Sequence, residues 1–384
     1  MNLNRIKAIT HKEWREILRD RLFLSLAFIL PVSMMLIFGY GIKMDVENIP
    51  FAVLDQDRTA MSRDYLHLFM DSRYFDYKGH VLNERELEPL LADSRIRFAI
   101  IIPPGFQEGL KAGRPVAVQS LIDGTFPFRT STSKGYVIAI NAAFNGKLLA
   151  GFISQKMGIP SEQAAALVQP IQLQLRYLYN QELKSTWSIA PAMMMFILMM
   201  TPPFLTALGV VREKENGSIY NIYSSTVTRA EFLAGKLLPY VGISSINVII
   251  LWLMAVLVFN APFKGDPIFF FMASVVYVGC TTGIGLLVSL FARTQIAAMM
   301  ITVVVTIVPA MLYSGLLVPI ASMDAASQFE AHLFPAMYYT DIALGSFLKG
   351  IGMGQLWGRV AALLIYTLVL WIASYLLFHK RVKA

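Results

Sequence analysis

The sequence predicts an α-helical polytopic membrane protein with six transmembrane helices and an inserted mixed α/β extracytoplasmic domain. The first observation is six long stretches without a charged residue: Leu22–Ile42, Trp187–Val211, Leu237–Pro262, Pro267–Ala292, Thr294–Met323 and Val360–Phe378. A helix crosses a bilayer with about 20 apolar residues, and a charge at the centre costs roughly 2.5–3.5 kcal/mol on insertion scales. The second is spacing. Residues 43–186 are mostly polar and separate the first stretch from the second, whereas the later stretches follow one another closely. The third is composition, with 56% hydrophobic and 15% charged residues, where soluble domains carry about 25% charged.

Orientation follows from the lysines and arginines of the short segments. Arg5, Lys7, Lys12, Arg15, Arg19 and Arg21 precede the first stretch. Arg212, Lys214, Arg229 and Lys236 follow the second, Arg293 lies between the fourth and fifth, and Lys380, Arg381 and Lys383 close the chain. Lys264 and Lys349 stand in the short loops opposite. Both termini are therefore expected in the cytoplasm and residues 43–186 outside. That domain holds 16 basic and 15 acidic residues from Lys43 to Lys184, so the formal charge of +8 belongs to the cytoplasmic rim. Such a rim suits anionic lipid and not nucleic acid.

In chain order, residues 1–21 read as an amphipathic cytoplasmic interfacial helix. Leu3, Ile6, Thr10, Trp14, Ile17 and Leu18 fall near one face, with Thr10 the flaw in the stripe. Residues 22–42 read as an uncleaved anchor, because acidic residues precede them and no small-x-small site follows. The domain 43–186 opens with a strand at Phe51–Leu54, and further strands are expected at Phe98–Ile102 and Val116–Ile122. Helical spacing marks Met61–Met70 and Glu84–Leu91. A long amphipathic helix runs from Ser131 to Met157 on Tyr136, Ile140, Phe144, Leu148 and Phe152, and another opens at Pro160-Ser161. Ile171–Tyr179 alternates with period two, as a half-exposed strand does. Residues 187–378 hold the remaining helices, a cytoplasmic loop at 212–236 and an extracytoplasmic re-entrant segment at 319–352, and 379–384 form a cytoplasmic tail. Cys280 is the only cysteine, so no disulfide ties the outer domain.

Catalytic patterns are absent. There is no G-x-x-x-x-G-K-[ST] loop and no G-x-S-x-G elbow, and His11, His67, His80, His332 and His379 lack metal-ligand spacing. Ser131-x-x-Lys134 matches S-x-x-K without its companion motifs. The apolar stretches carry no charge that would serve as a proton or ion relay, so the energy for any transport is expected from another subunit. The loop 212–236 is the expected entry point. Arg212, Glu213, Lys214 and Glu215 precede Gly217 and Ser218, an amphipathic segment with Ile219, Ile222 and Tyr223 follows, and a polar turn from Thr228 to Glu231 leads to Gly235 and Lys236. A short helix with charged ends suits docking in a partner's groove.

At this loop the chain resembles the permease subunits of ABC-2 type exporters, in the bacterial multidrug-export branch with a large domain after the first helix. Arg212, Glu213, Gly217 and Ser218 match its R-E-x-x-x-G-[ST] element, and Glu231, Gly235, Lys236 and Pro239 match E-x-x-x-G-K-x-x-P. Asp55, Asp57 and Ser62, then Ile102, Pro104, Gly105 and Phe106, then Asp123 and Gly124, follow in the expected order, as does Tyr179-Asn180. Pro319, Met323, Pro335, Tyr338 and the run Phe347–Gly350 fit its short extracellular helices. The chain departs from the pattern at Thr226, at Asn180-Gln181, and at Leu344, where an arginine is usual.

The resemblance implies a half-transporter without enzymatic activity of its own. Arg212, Glu213, Glu215, Gly217, Ser218, Glu231, Gly235 and Lys236 would form the ATPase-coupling loop. The partners would be a cytoplasmic ABC ATPase that uses ATP and Mg, a second permease copy or sibling, membrane lipids and a periplasmic adaptor. The location would be the bacterial inner membrane. No cofactor or metal is expected on this chain. A substrate pathway for lipophilic compounds is expected among Met195, Met199, Thr201, Thr206, Met299, Thr302 and Thr306, since methionine lines adaptable apolar sites. Ordinary helix packing explains the same residues. A stand-alone secondary transporter and a membrane scaffold whose outer domain binds a partner are the alternatives, and co-purification of an ATPase separates them from the exporter.

Overall fold

The computed structural model of the protein describes residues 2–42, 46–168, 176, 178–218 and 226–378. The chain divides into two compact units, a helical one of Met1–Lys43 with Tyr177–Ala384 and an α/β one of Met44–Arg176.

The helical unit starts with the N-terminal helix, Leu3–Arg19. Asp20 ends it and opens the next, because the Asp20 carboxylate accepts the N–H groups of Leu22 and Phe23. The first apolar helix, Arg21–Gly41, widens once, in a π-turn at Ser25–Ile29 just before Pro31. The others are the second (Ser185–Glu215), third (Arg229–Leu257), fourth (Pro267–Phe291), fifth (Gln295–Tyr313) and sixth (Met353–Leu377). The second is apolar around its circumference and almost wholly buried, packed between the fourth and fifth. That follows the rule that a helix apolar on every face belongs inside. The sixth packs on the fourth and leaves most of its surface open, which suits a bilayer.

Two expectations change here. Among the described residues seven helices are long and apolar enough to cross a membrane, the additional one being Pro127–Met157 in the α/β unit. The helices also overrun the uncharged stretches. The second ends at Glu215, the third begins at Arg229 and encloses Glu231 and Lys236, and the sixth encloses Arg359. Arg359 Nε reaches Asp341 Oδ2 at 2.7 Å, so an arginine from the sixth helix serves the end where Leu344 replaces one. The 319–352 segment forms short helices, Ala325–His332 and Pro335–Leu344, and the hydroxyl of Tyr338 donates to the His332 carbonyl at 3.0 Å. Pro335 is buried at the first position of its helix, while Pro319 and Met323 flank a 3-10 turn at Ile320–Ser322.

In the α/β unit, β1 (Ile49–Asp55), β2 (Phe75–His80), β3 (Phe98–Ile102) and β4 (Gln119–Ile122) form one sheet in the order β2-β1-β3-β4. β1 is parallel to β2 and β3, and β4 is antiparallel to β3. Phe51, Val53, Phe98 and Ile100 join one apolar cluster, and Ala52, Leu54, Ala99 and Ile101 join another. A strand buried on both faces reads as an unbroken apolar run, which is why β1 and β3 are legible. β2 lies at an edge and its FDYKGH hides it, and β4 is shorter than the expected Val116–Ile122. The helix Pro127–Met157 lays Tyr136, Ile140, Phe144 and Leu148 on the first cluster, whereas Phe152 of the same stripe is exposed. The helices expected at Met61–Met70, Glu84–Leu91 and Pro160-Ser161 form at Ala60–Met70, Leu87–Ala92 and Ser161–Val168. The strand expected at Ile171–Tyr179 falls almost entirely outside the described residues.

The two aspartates after β1 have structural duties. Asp55 accepts from the Ser62 hydroxyl at 2.7 Å and from the N–H of Arg58 at 2.9 Å. Asp57 accepts from the N–H groups of Phe106 (3.0 Å) and Gln107 (3.1 Å), and so caps the helix Phe106–Lys111 from across the sheet's end. Desolvation works against its charge, but the Thr59 hydroxyl and these amides outweigh it and hold its carboxyl below the ordinary range. The stabilisation is thus fully present above the unfolded value of about 4 and is lost as pH falls through the lower folded value. Asp57→Ala should cost about 1 kcal/mol. Amide exchange in a peptide covering 98–111 should accelerate several-fold at neutral pH; unchanged exchange would show that the cap is not made.

Candidate functional site at the base of the 212–236 loop

The loop enters from the end of the second apolar helix and leaves into the third, and residues 219–225 lie outside the described residues. Its two ends converge on the N-terminal helix. Ile6, Thr10, Glu13 and Ile17 are spaced four, three and four apart, which places them on one helical stripe. That stripe packs on the third helix, and Ile6, Glu13 and Ile17 are buried.

Lys236 is the centre. It is 1% exposed and pairs with Glu13 and, at 2.9 Å, with Glu213, themselves 2% and 5% exposed. Lys12 adds a second cation at 2.8 Å from Glu213 and the Tyr240 hydroxyl donates to Glu13 at 3.1 Å. Burial pushes the Glu13 carboxyl up while Lys236 opposes the shift. Two glycines admit these contacts. A Cβ on Gly209 would lie 1.7 Å from the Tyr240 hydroxyl, and one on Gly235 would lie 2.8 Å from Ile9 Cβ and 3.2 Å from the Ile6 carbonyl. The third helix begins in a capping box between Thr228 and Glu231. The Glu231 carboxylate also accepts the N–H of Asn2 at 2.6 Å and lies 3.7 Å from Arg5.

The remaining loop residues close the other side. Arg212 pairs with Asp20, Lys214 donates to the Ser289 carbonyl, and Glu215 accepts from Gln295 Nε2 at 2.6 Å. Gly217 has φ +71°, a left-handed conformation that favours glycine, and the Ser218 hydroxyl donates to the Glu213 carbonyl at 3.3 Å. Of the eight expected loop residues the structure brings Glu213 onto Lys236 and Ser218 onto the Glu213 carbonyl, whereas Arg212 and Glu215 find separate partners, and Glu213, Glu231 and Lys236 face the protein's own N-terminal helix. The sequence marks Lys12 only as one of the basic residues that set orientation, and Glu13 is among the acidic residues before the first apolar stretch. The spacing 6-10-13-17 was the available signal.

Carboxylate oxygens of Glu13, Glu16 and Glu213 lie within 4.8 Å of one another, a set able to hold a cation. Lys12 and Lys236 already supply the positive charge they require. A cavity of about 590 Å³ opens beside the network, lined by Glu16, Arg19, Arg21, Phe23, Arg212 and Ser218 among others.

The residues expected along a substrate path sit elsewhere. Met195, Met199, Thr201, Thr206, Thr302 and Thr306 are buried and Met299 is partly so. Each of the four threonines donates to its own helix, to Ile197, Pro202, Ala298 and Thr302 respectively. They satisfy themselves and present no free polar group. The open face of the fifth helix is instead made by Ile296, Met300, Val304, Val308 and Met311.

Removing the central cation should be severe. Lys236→Met leaves two buried carboxylates short of charge and should cost roughly 3–5 kcal/mol. Thermal unfolding in detergent should show a large fall in midpoint, recovered in part by adding Glu13→Gln. An unchanged midpoint would mean that water, not Lys236, compensates these carboxylates.

Residues 21–376 match the sequence profile of the ABC-2 family transporter proteins. The probable multidrug ABC transporter permease YbhS of Escherichia coli K12 is 27% identical over 379 residues, which cover 98% of this chain and 95% of the relative. The probable multidrug ABC transporter permease YbhR of the same organism is 24% identical over 379 residues, 99% of each chain. ABC transporter G family member 20 of Dictyostelium discoideum is 22% identical over 388 residues, which span 98% of this chain and 51% of that protein. A match that runs from the first apolar helix to the end of the sixth, on a chain of long apolar helices, makes this a multi-pass membrane protein that belongs to the ABC-2 transporter family.

Proposed function

We infer that the chain is the permease subunit of an ABC exporter, moving lipophilic or drug-like compounds outward with energy from a separate ATPase. The observation that carries this is the base of the 212–236 loop, where both ends of the loop and the N-terminal helix are locked through Lys236. A loop fixed so firmly at its root conveys a push on its tip to three helices at once. The charged cavity beside it offers a concave surface for the ATPase. ATP and Mg belong to that partner, and a second permease copy or sibling completes the transporter. In this reading Arg212, Glu213, Glu231, Gly235 and Lys236 position the loop, while the segment after Gly217 meets the ATPase. The substrate path follows the open face of the fifth helix, which a second permease would cover.

Six helices span and the seventh candidate, Pro127–Met157, does not. Its packing onto the sheet and its Arg129, Lys134, Lys147 and Lys156 support that division. Both termini then lie in the cytoplasm of a bacterial inner membrane and the α/β unit outside, where an adaptor protein would meet it. Exposed Leu149, Phe152, Met157 and Leu167 support an apolar contact there.

Topology is tested with single cysteines. Gly124→Cys should react with an impermeant thiol reagent in intact cells and Ser225→Cys should not; the reverse pattern overturns the orientation. Coupling is tested by Gly217→Leu, which strains a left-handed position. ATP hydrolysis by the co-purified ATPase should continue while dye efflux falls about tenfold, a loss of about 1.4 kcal/mol in coupling. Normal efflux from this variant would remove the loop from the coupling path.

A further inference from the structure

Two contacts of the third apolar helix share one origin. A proline inside a helix has no N–H, so the carbonyl four residues earlier loses the donor a regular helix supplies. Pro239 does this to Gly235; Pro31 does it to Ala27 where the chain returns to α register after the π-turn Ser25–Ile29, in which the Leu30 N–H reaches back to Ser25. Both carbonyls receive a side-chain donor from another helix. The hydroxyl of Thr10, on the N-terminal helix, donates to the Gly235 carbonyl at 3.2 Å. Asn247 Nδ2, on the third helix, donates to the Ala27 carbonyl at 2.7 Å. The second bond is deep, with Asn247 1% exposed and Ala27 fully buried, and it falls within the π-turn Ser25–Ile29. Among the described residues, the carbonyls of Trp187, Leu198, Met199 and Val305, which precede Pro191, Pro202, Pro203 and Pro309 in the same way, show no such side-chain donor.

The two bonds run in opposite directions. At one the N-terminal segment gives to the third helix, and at the other it receives from it, about 18 Å further along at 1.5 Å per residue. Lys236 and Tyr240 lie between them on the same helix. In an apolar surrounding a carbonyl without a donor is costly, so each bond is selective for a donor at that one position.

We propose that Thr10 and Asn247 are positioning residues for transport. They donate to carbonyls that Pro239 and Pro31 expose, and they key the N-terminal helix and the first apolar helix to the third. A displacement entering at the loop then carries all three elements together. The proposal rests on the exporter reading above, and the test separates the two.

The test is a double-mutant cycle in the full-length chain, with its ATPase, in lipid nanodiscs and in cells. Asn247→Leu removes the donor, and Pro31→Ala returns a backbone N–H to the Ala27 carbonyl. Asn247→Leu should lower the thermal midpoint in the wild-type background and by less than half as much in the Pro31→Ala background. Equal losses in both would overturn the pairing. Dye efflux per ATP hydrolysed should fall about tenfold in Asn247→Leu at equal membrane insertion, and an unchanged ratio would overturn the positioning role. Should Asn247→Leu fail to insert, Thr10→Val with Pro239→Ala gives the same cycle at the membrane edge, with the same expected pattern and the same overturning one. A wild-type chain that exports nothing would overturn the exporter reading and the positioning role with it, while the midpoint cycle judges the pairing alone.

Discussion

An ammonium group taken out of water must have its charge met within a few ångströms, and the helical unit is built around one such group. Lys236 is held between Glu13 and Glu213, which come from the N-terminal helix and the end of the second apolar helix. Breaking a buried pair strands its partner, which is far costlier than losing an exposed one. The three segments are therefore bound to one another in the folded state. Gly209 and Gly235 are consequences, because the approach that brings these charges together leaves no room for a side chain at either place.

The same requirement, that every buried polar group find a partner, explains motifs that look functional in the sequence. The R-E-x-x-x-G-S element becomes an arginine on Asp20, a glutamate on two lysines, a left-handed glycine and a serine on the Glu213 carbonyl. The D-x-D after β1 becomes two caps, one for a turn and one for a helix. The threonines among the methionines return their hydroxyls to their own helices. In each of these motifs the polar side chains answer a need of the chain itself.

This changes how energy would travel through the chain. A docking loop with charged ends offers those charges to a partner, whereas here the most buried ones are turned inward and anchor the loop's root. The N-terminal helix is consequently tied to the root of the loop, through Lys12 and Glu13. Its Leu3 and Leu18 are exposed, while Ile6, Glu13 and Ile17 are buried within the protein.

The apolar helices, the two central strands and the order of the elements were legible in the sequence, because each rests on a local pattern. An uncharged run of about 20 residues, an apolar run closed by Asp or Pro, and a four-residue stripe need no knowledge of distant residues. Helix ends were not legible in this way. Lys236 and Glu231 lie outside the uncharged stretch yet inside the helix: Glu231 closes the capping box with Thr228, and the charge of Lys236 is met by Glu213 and by Glu13, more than 200 positions away. Edge strand β2 was missed because only Phe75 and Tyr77 of FDYKGH reach the core, too short an alternation to stand out, and Phe152 continues the stripe of its helix yet is exposed. Thr10 shows the division best. By itself it was a polar defect in an apolar stripe. Only the tertiary structure sets it against the carbonyl that Pro239 leaves free, because hydrogen-bond need is created in one segment and answered in another.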